Sequence, residues 1–333
     1  MRNAQIDIFR LFLILWIILF HFTTGYNGLI GVNPIHFPLS FSLGGTVGTT
    51  IFFILAGWYM GKSITGLSFT SIQDYIKFAT KRYWRLWPSY AVAVSLIFVF
   101  LLLVPLPNVK NTVFEWCINF LLIVHPGINY IDGAHWFLSA LFVSQLITAL
   151  TIFAPPILRK WIIFILLLIL SIVFYRWEYE PSFLFIYLSS WMRVLLGVVV
   201  YIAVKCEGWF HSRYVNISLV LLLTVIIFYS EGLRSFFLAL IITYGIMLIL
   251  LSLRINGSSH FCELATKVSE FSFVWYLVHQ RIGYTLLHHF CPSGELSAVW
   301  LLFPILVTAL LALVVYYLSQ NLVSYIKNKH CFN

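Results

Sequence analysis

Charged side chains are scarce in this chain. Of its 333 residues, 9% are charged, 61% are hydrophobic and 18% are aromatic, and the mean hydropathy is +0.95. A soluble domain has about 25% charged residues, and so few charges could not cover the surface of a soluble fold of this size. The composition therefore excludes a cytosolic globular protein, a disordered chain and a nucleic-acid binder. It predicts a polytopic protein of the lipid bilayer.

Cysteine motifs and signs of a soluble domain are also missing. The five cysteines are scattered, without a CxxC pair or a His/Cys cluster, so neither a disulfide framework nor a zinc site is predicted. We therefore expect no metal. No internal repeat, low-complexity tract or shift in composition marks a second domain. The sequence predicts a single transmembrane domain over residues 1–333.

Long apolar runs predict the membrane spans. A spanning helix needs about 17–25 mostly apolar residues. Ten segments fit this requirement: 8–24, 44–61, 88–104, 135–154, 161–176, 183–204, 214–230, 235–253, 270–290 and 297–318. The apolar stretch at 113–124 is shorter, and we expect it to be re-entrant or interfacial.

Basic residues predict the orientation of these spans. Lysine and arginine gather in cytoplasmic loops, and ten spans with the N-terminus inside place most of the 20 basic residues there. A full span at 113–124 would move the later basic loops outside. The distribution favours an all-α bundle of about ten spans with both termini in the cytoplasm. It also explains the net charge of +9 without a polyanion-binding patch.

Three ionisable residues of the first span fall on one face of a helix. At about 100° per residue, Asp7, Arg10 and His21 form a stripe that we expect to face the bundle interior. Asp7 and His21 are about 21 Å apart along the axis, so Asp7 cannot orient His21 and is expected to pair with Arg10. His21 fits either an interfacial histidine at a helix end or a general base.

A basic and aromatic segment, KRYWRLWPSY at 81–90, precedes the third span, where we expect a cytoplasmic loop. Arg82 and Arg85 share a face if the segment is helical, and guanidinium groups bind phosphate bidentately. The segment fits a ligand with phosphates and a ring, and it equally fits a membrane-edge anchor. The residues that would hold such a ligand are Lys81, Arg82, Trp84 and Arg85.

Further polar residues lie in or beside later spans. Arg193 is halfway along the sixth span, and Arg281 follows His279 in the ninth. Two arginines within spans imply a water-filled cavity or an anionic partner. His135 and Trp136, at the outer face before the fourth span, fit a polar loop as well as a site. The glycines of the second span (Gly44, Gly45, Gly48 and Gly57) favour close helix packing.

Five motifs in order resemble the acyltransferase-3 family of integral membrane acyltransferases, and most closely the O-antigen acetyltransferases of serotype-converting prophages. The motifs are Asp7, Arg10 and His21; Gly48, Phe52, Phe53 and Gly57; Arg82, Arg85 and Pro88; Arg193 and Gly197; and Tyr276, Leu277 and His279. Many members carry a glutamate shortly after the fourth-span tryptophan. Here Trp136 is followed by FLSAL, so the carboxylate partner of His21 is unassigned. The optional soluble extracytoplasmic domain of the family is also missing.

The resemblance implies a multi-pass O-acetyltransferase of the bacterial inner membrane. Its donor would be acetyl-CoA, and its acceptor would be a sugar hydroxyl of O-antigen lipopolysaccharide or of the lipid-linked precursor. The implied catalytic residues are Asp7, Arg10, His21 (the base) and Arg193 (stabilising the carbonyl oxygen); the implied acetyl-CoA residues are Lys81, Arg82, Trp84 and Arg85; and the implied substrate residues are His135, Trp136, His279 and Arg281.

A transporter or flippase of acyl groups or lipid-linked glycans is the alternative class. Intramembrane arginine and histidine residues suit such a carrier too. Transporters often show two related halves with broken spans, and the sequence shows no such halves.

Overall fold

The computed structural model describes residues 4–26, 43–107, 109, 111–122, 129–175, 183–205, 213–230, 237–252, 259–290 and 298–329. These residues form helices and short connections, with no β-strand in the described ranges. The α-helices are α1 (Ala4–Phe20), α2 (Gly44–Gly66), α3 (Ile72–Leu103), α4 (Val113–Phe120), α5 (Trp136–Ala149), α6 (Pro156–Tyr175), α7 (Phe183–Lys205), α8 (Arg213–Ser230), α9 (Phe237–Ser252), α10 (Ser259–Phe290) and α11 (Ala298–Lys329). A π-helical turn (His21–Gly25) follows α1, and 3-10 turns (Gly133–His135 and Leu150–Phe153) flank α5.

The all-helical prediction is confirmed, and the chain is a membrane protein. Within the described ranges, six helical segments are long and apolar enough to cross a membrane: Ala4–Gly25, Ile72–Leu103, Gly133–Phe153, Pro156–Phe174, Leu184–Lys205 and Trp300–Ile326. The short stretch at 113–124 contains α4, which has eight residues and starts at a capping box between Thr112 and Glu115. A helix of this length rises about 12 Å, which is less than the thickness of the hydrocarbon core.

The loop expected at 81–90 is wrong, because α3 already begins at Ile72 and continues through Pro88. Its first turn explains the early start. The Ser71 N–H donates to Asp74 Oδ2 at 3.0 Å, and the Asp74 N–H donates to Ser71 Oγ at 3.3 Å. This reciprocal pair satisfies two donors at the helix start. The basic and aromatic segment is therefore helical.

The described residues form two compact units. The first unit lies within Met1–Gly48, Trp84–Trp136 and Leu253–Asn333, and the second lies within Thr49–Tyr83 and Phe137–Ser252. The unit boundaries interrupt α2, α3 and, after its first residue, α5, so each of these helices contributes residues to both units.

Close packing in the first unit depends on glycines at the start of α2. A Cβ atom at Gly44 would lie 2.5 Å from the carbonyl oxygen of Trp16, and one at Gly48 would lie 2.6 Å from the side chain of Ile17. These glycines let α2 approach α1 more closely than any side chain would allow. The packing role expected for them is confirmed.

The second unit contains an even closer crossing, between α2 and α7. A Cβ atom at Gly57 would overlap the carbonyl oxygen of Val194, and one at Gly197 would overlap that of Ile54. The two backbones are therefore in direct contact at this crossing. Only glycine fits at either position.

Arg159, in the first turn of α6, stabilises the end of α2 in the same unit. Its side chain is buried and donates to the carbonyl oxygens of Ala154, Ile64 and Leu67 and to Ser68 Oγ. The last carbonyl groups of a helix have no partner within the helix, and a cation is favoured near them. Arg159 thus has a structural role that accounts for its burial.

Candidate active site

Three histidines meet in the first unit, although they are far apart in the sequence. His21 opens the π-helical turn after α1, His135 ends the 3-10 turn before α5, and His279 lies in α10. The ring centroids of His21 and His279 are 5.1 Å apart. His135 contacts the backbone of α10 two residues before His279. We call these three residues the histidine cluster.

The π-helical turn His21–Gly25 sets the position of His21. Thr23 Oγ1 donates to the carbonyl oxygen of Leu19 at 2.6 Å, so the hydroxyl competes for the backbone just where the regular helix ends. Such turns within α-helices frequently occur at functional sites. The local sequence therefore supplies a reason for the irregular backbone at the first histidine.

Two glycines provide the room around the cluster. A Cβ atom at Gly25 would lie 2.6 Å from Tyr284 Oη and 3.2 Å from His21 Nδ1. One at Gly133 would lie 2.8 Å from Gln280 Oε1. A side chain at either position would displace the groups that contact His21.

One edge of the His21 ring is fixed by hydrogen bonds. Nδ1 lies 3.0 Å from Tyr284 Oη and 3.0 Å from Gln280 Nε2, whose amide also donates to Tyr284 Oη at 3.3 Å. Within the described ranges Nε2 makes no hydrogen bond. The ring is thus held on one side, and its second nitrogen is left for a reacting group.

The other two histidines have definite tautomers and unused lone pairs. His279 Nδ1–H donates to the carbonyl oxygen of Tyr276 at 2.7 Å, and His135 Nε2–H donates to that of Leu277 at 2.9 Å. The remaining nitrogens, His279 Nε2 and His135 Nδ1, are buried and have no hydrogen-bond partner among the described residues. Buried polar groups are rarely left unsatisfied without a reason.

A buried carboxylate joins the turn that carries His135 to α10. Asp132 Oδ1 accepts from the N–H of Ala134 at 2.8 Å, and Oδ2 accepts from the N–H of Arg281 at 2.9 Å. Tyr276 Oη adds a third link by donating to the carbonyl oxygen of Ala134 at 2.8 Å. Asp132 is thus a carboxylate beside the cluster, but neither of its oxygens bonds to His21 in the described structure, so it is not the carboxylate partner that the sequence left unassigned.

The charged residues at the start of α1 form a separate group. Arg10 Nη1 lies 3.7 Å from Asp7 Oδ1 and donates to Ser269 Oγ at 2.9 Å. Asp7 is fully buried, and the predicted ion pair is confirmed. Helical rise places Asp7 about 21 Å from His21. The stripe therefore divides into an ion pair at one end and an imidazole at the other.

Arg82 in α3 contacts neutral groups of the second unit. Its Nη1 donates to Gln145 Oε1 at 2.8 Å, its Nη2 donates to Ser63 Oγ at 3.2 Å, and its guanidinium lies 4.6 Å from the Phe78 ring centroid. The other predicted acetyl-CoA residues, which are exposed along the same helix, are Lys81, Trp84 and Arg85.

The remaining predicted residues lie in different surroundings. Arg193 belongs to the second unit and is half-buried in the middle of α7. Trp136, the first residue of α5, is half-buried in the first unit. Arg281 adjoins the histidine cluster, and its Nε is buried without a hydrogen-bond partner in the described part of the chain.

Sequence reasoning missed three residues that contact or frame His21: Gln280, Tyr284 and Gly25. Gln280 and Tyr284 are four residues apart in α10, so they lie on one helical face, and Gln280 directly follows His279. From this spacing the sequence could have predicted that Gln280 and Tyr284 lie together beside His279. No pattern in the sequence, however, predicts that this face meets the end of α1.

A membrane protein with a fixed imidazole and unused buried nitrogens has the features of an acid–base enzyme. Among the described residues no group of three or more His, Cys, Asp or Glu side chains could hold a metal ion. A family model described as an acyltransferase domain, Acyl_transf_3, matches residues 3–319. The chain therefore belongs to the acyltransferase-3 family and is an acyltransferase enzyme.

The other comparisons give no match. Neither a curated protein nor a solved structure matches the chain. The predicted family is nevertheless confirmed by a match that covers nearly the whole chain. Of the two classes that the sequence left open, acyl transfer is the one that the family supports.

Proposed function

We propose that this acyltransferase moves an acetyl group from acetyl-CoA to a sugar hydroxyl of bacterial O-antigen or of its lipid-linked precursor. Membership of the family supports acyl transfer. The donor and the acceptor follow from the similarity of the five motifs to prophage O-antigen acetyltransferases. The same similarity suggests the inner membrane as the location and serotype conversion as the biological effect.

The proposal includes a topology of ten membrane spans with both termini in the cytoplasm. A helix coincides with each of the ten predicted segments, and the distribution of basic residues favours this orientation. In this topology the exposed face of α3 that carries Lys81, Trp84 and Arg85 lies at the cytoplasmic side, where CoA is found. Arginine binds phosphate through charge-assisted hydrogen bonds, and tryptophan offers a surface for stacking.

His21 is the proposed general base, and its open Nε2 is the observation that carries this role. Nε2 takes the proton of the sugar hydroxyl while the hydroxyl oxygen attacks the thioester carbonyl. The C–S bond then breaks, the ester forms, and the proton passes from His21 to the departing CoA thiolate. The same base would serve if an acyl-enzyme forms first.

Five further residues are proposed to assist this step or to bind the acceptor. Arg193 would stabilise negative charge on the carbonyl oxygen, a role for which the similarity of Arg193 and Gly197 to the family motif is the support. Arg281 has a buried and unpartnered Nε among the described residues, which supports a contact with substrate oxygen. His135 and His279 are fully buried, so any contact they make with the acceptor is inside the cluster. Trp136 is the proposed stacking surface for the sugar.

Replacing His21 tests the proposal directly. The full-length wild type and His21→Ala are purified in detergent and supplied with labelled acetyl-CoA and O-antigen acceptor. We expect a loss of about 100-fold or more in turnover, as removal of a general base predicts. His260→Ala is the matched control, because His260 is exposed at the start of α10. Undiminished acetylation by a folded His21→Ala protein would rule out the base role.

A further inference from the structure

The amide of Gln280 occupies the place beside His21 that a carboxylate takes in a catalytic triad. Gln280 Nε2 lies 3.0 Å from His21 Nδ1 and 3.3 Å from Tyr284 Oη. In such triads a third group holds the imidazole in the tautomer that the reaction needs. On the basis of the proposed function of His21, we propose that Gln280 is its positioning residue: Oε1 accepts the Nδ1–H and thereby leaves Nε2 as the base.

Imidazole chemistry requires a hydrogen-bond acceptor at this place. A neutral imidazole has one N–H and one lone pair, whereas imidazolium has two N–H groups. If Nε2 takes the proton of the hydroxyl, Nδ1 carries a proton both before and after the transfer. An acceptor facing Nδ1 stabilises both states of the base. A donor facing Nδ1 favours the opposite tautomer, in which Nε2 holds the proton.

The buried carboxylate of the cluster does not supply this acceptor. Both oxygens of Asp132 already accept backbone N–H groups, from Ala134 and from Arg281. No hydrogen bond joins Asp132 to His21 in the described ranges. Among the described residues, the groups that bond to Nδ1 are the Tyr284 hydroxyl, which can donate or accept, and the Gln280 amide.

Gln280 has an unused acceptor of the required kind. Its Oε1 is buried and has no hydrogen-bond partner among the described residues. A half-turn of the amide about its last single bond exchanges Oε1 and Nε2 with almost no change in shape. This rotation brings Oε1 to His21 Nδ1. It needs space on the far side of the amide, and Gly133, which has no Cβ, leaves that space open.

Two substitutions at Gln280 separate the chemistry of the amide from its bulk. Gln280→Met keeps the length of the side chain but removes the acceptor, and Gln280→Glu keeps an acceptor. Thr285→Val is the matched control, because among the described residues the one hydrogen bond of the Thr285 hydroxyl goes to the carbonyl oxygen of Arg281, one turn earlier in the same helix. All variants are compared as the purified full chain.

We expect Gln280→Met to lower kcat by about 10- to 100-fold, less than the loss of the base itself, with the KM for acetyl-CoA unchanged within about twofold. Gln280→Glu should recover most of kcat, and Thr285→Val should match the wild type. Gln280→Asn, whose amide is one methylene shorter, is a second test if Gln280→Met does not fold, and its kcat should fall as well. Equal losses in the Met and Glu variants, or a normal kcat in Gln280→Met, would overturn the proposal.

Nitrogen-15 NMR of histidine-labelled protein in lipid nanodiscs reads the tautomer of His21 without any reaction. The signal of His21 is assigned by its absence in His21→Ala. We expect mainly the Nδ1–H tautomer in the wild type and a shift towards Nε2–H in Gln280→Met. An identical tautomer in both proteins overturns the role of Gln280, whatever the acyl donor proves to be. Full activity of His21→Ala would instead overturn the base role of His21.

Discussion

The histidine cluster of the first unit and the packing around α2 in the second unit both combine buried polar atoms with glycines, yet they differ in how these groups are used. In the second unit, Arg159 directs its guanidinium at carbonyl oxygens, and Gly57 and Gly197 bring two backbones into contact. In the first unit, His135, His279 and Gln280 each keep a buried atom without a partner among the described residues. Satisfied groups hold a fold together, whereas unsatisfied ones are available for chemistry.

Substitutions at the crossing of α2 with α7 should have the largest effect on folding. Gly57→Leu places a branched side chain where α7 backbone atoms lie, so we expect no folded protein. Gly66→Leu is the matched control in the same helix, because a Cβ atom at Gly66 would have nothing within 4 Å. Size-exclusion chromatography of the fluorescently tagged full chain measures the outcome. A monodisperse Gly57→Leu protein in normal yield would show that the crossing is less tight than described.

Arg159→Met should give the next largest effect. The substitution keeps much of the apolar stem but leaves three carbonyl oxygens without their donor. Each unsatisfied buried group costs about 1–3 kcal/mol; the bond to Ile64 is buried and the other two are part-buried, so we expect a loss of about 1–3 kcal/mol in stability. Thermal unfolding in detergent is the measurement, with Lys62→Met, an exposed position in α2, as the control. Equal midpoints for the two variants would contradict the structural role of Arg159.

Gly25→Ala should change stability least and still reduce activity. The added methyl group pushes against Tyr284 Oη and His21 Nδ1, and displacement of a catalytic group by about 1 Å can cost about 100-fold in rate. Labelled acetyl transfer and thermal unfolding are measured on the same preparation. Gly245→Ala is the control, since a Cβ atom there has open space. A fall in unfolding temperature as large as that of Arg159→Met would remove the distinction between the two regions.

Much of the fold follows from the sequence because lipid imposes simple rules. Apolar length and the scarcity of charge predicted helices at all ten expected segments, and the glycine pattern predicted close packing of α2, although not that α1 is the helix it packs against. The start of α3 was missed, because the polar capping pair at Ser71 and Asp74 carries little hydropathy signal. Local hydrogen bonding, and not hydropathy, decides where that helix begins.

The candidate site was predictable only in part. His21, His135 and His279 could each be singled out, since ionisable side chains are costly in or near a membrane. Their association could not, because it depends on how α10 packs against α1 and against the turn before α5. The hydrogen bonds of Gln280, Tyr284 and Asp132 are products of that packing.

The sequence by itself determined that this protein is a helical membrane acyltransferase with a histidine at the far end of its first helix. Composition and the order of the motifs are properties of the chain, so they can be determined without any knowledge of contacts. Only the tertiary structure decided which side chains face that histidine. Hydrogen bonds act over about 3 Å, and residues 259 or 263 positions apart in the chain reach that distance only when helices pack.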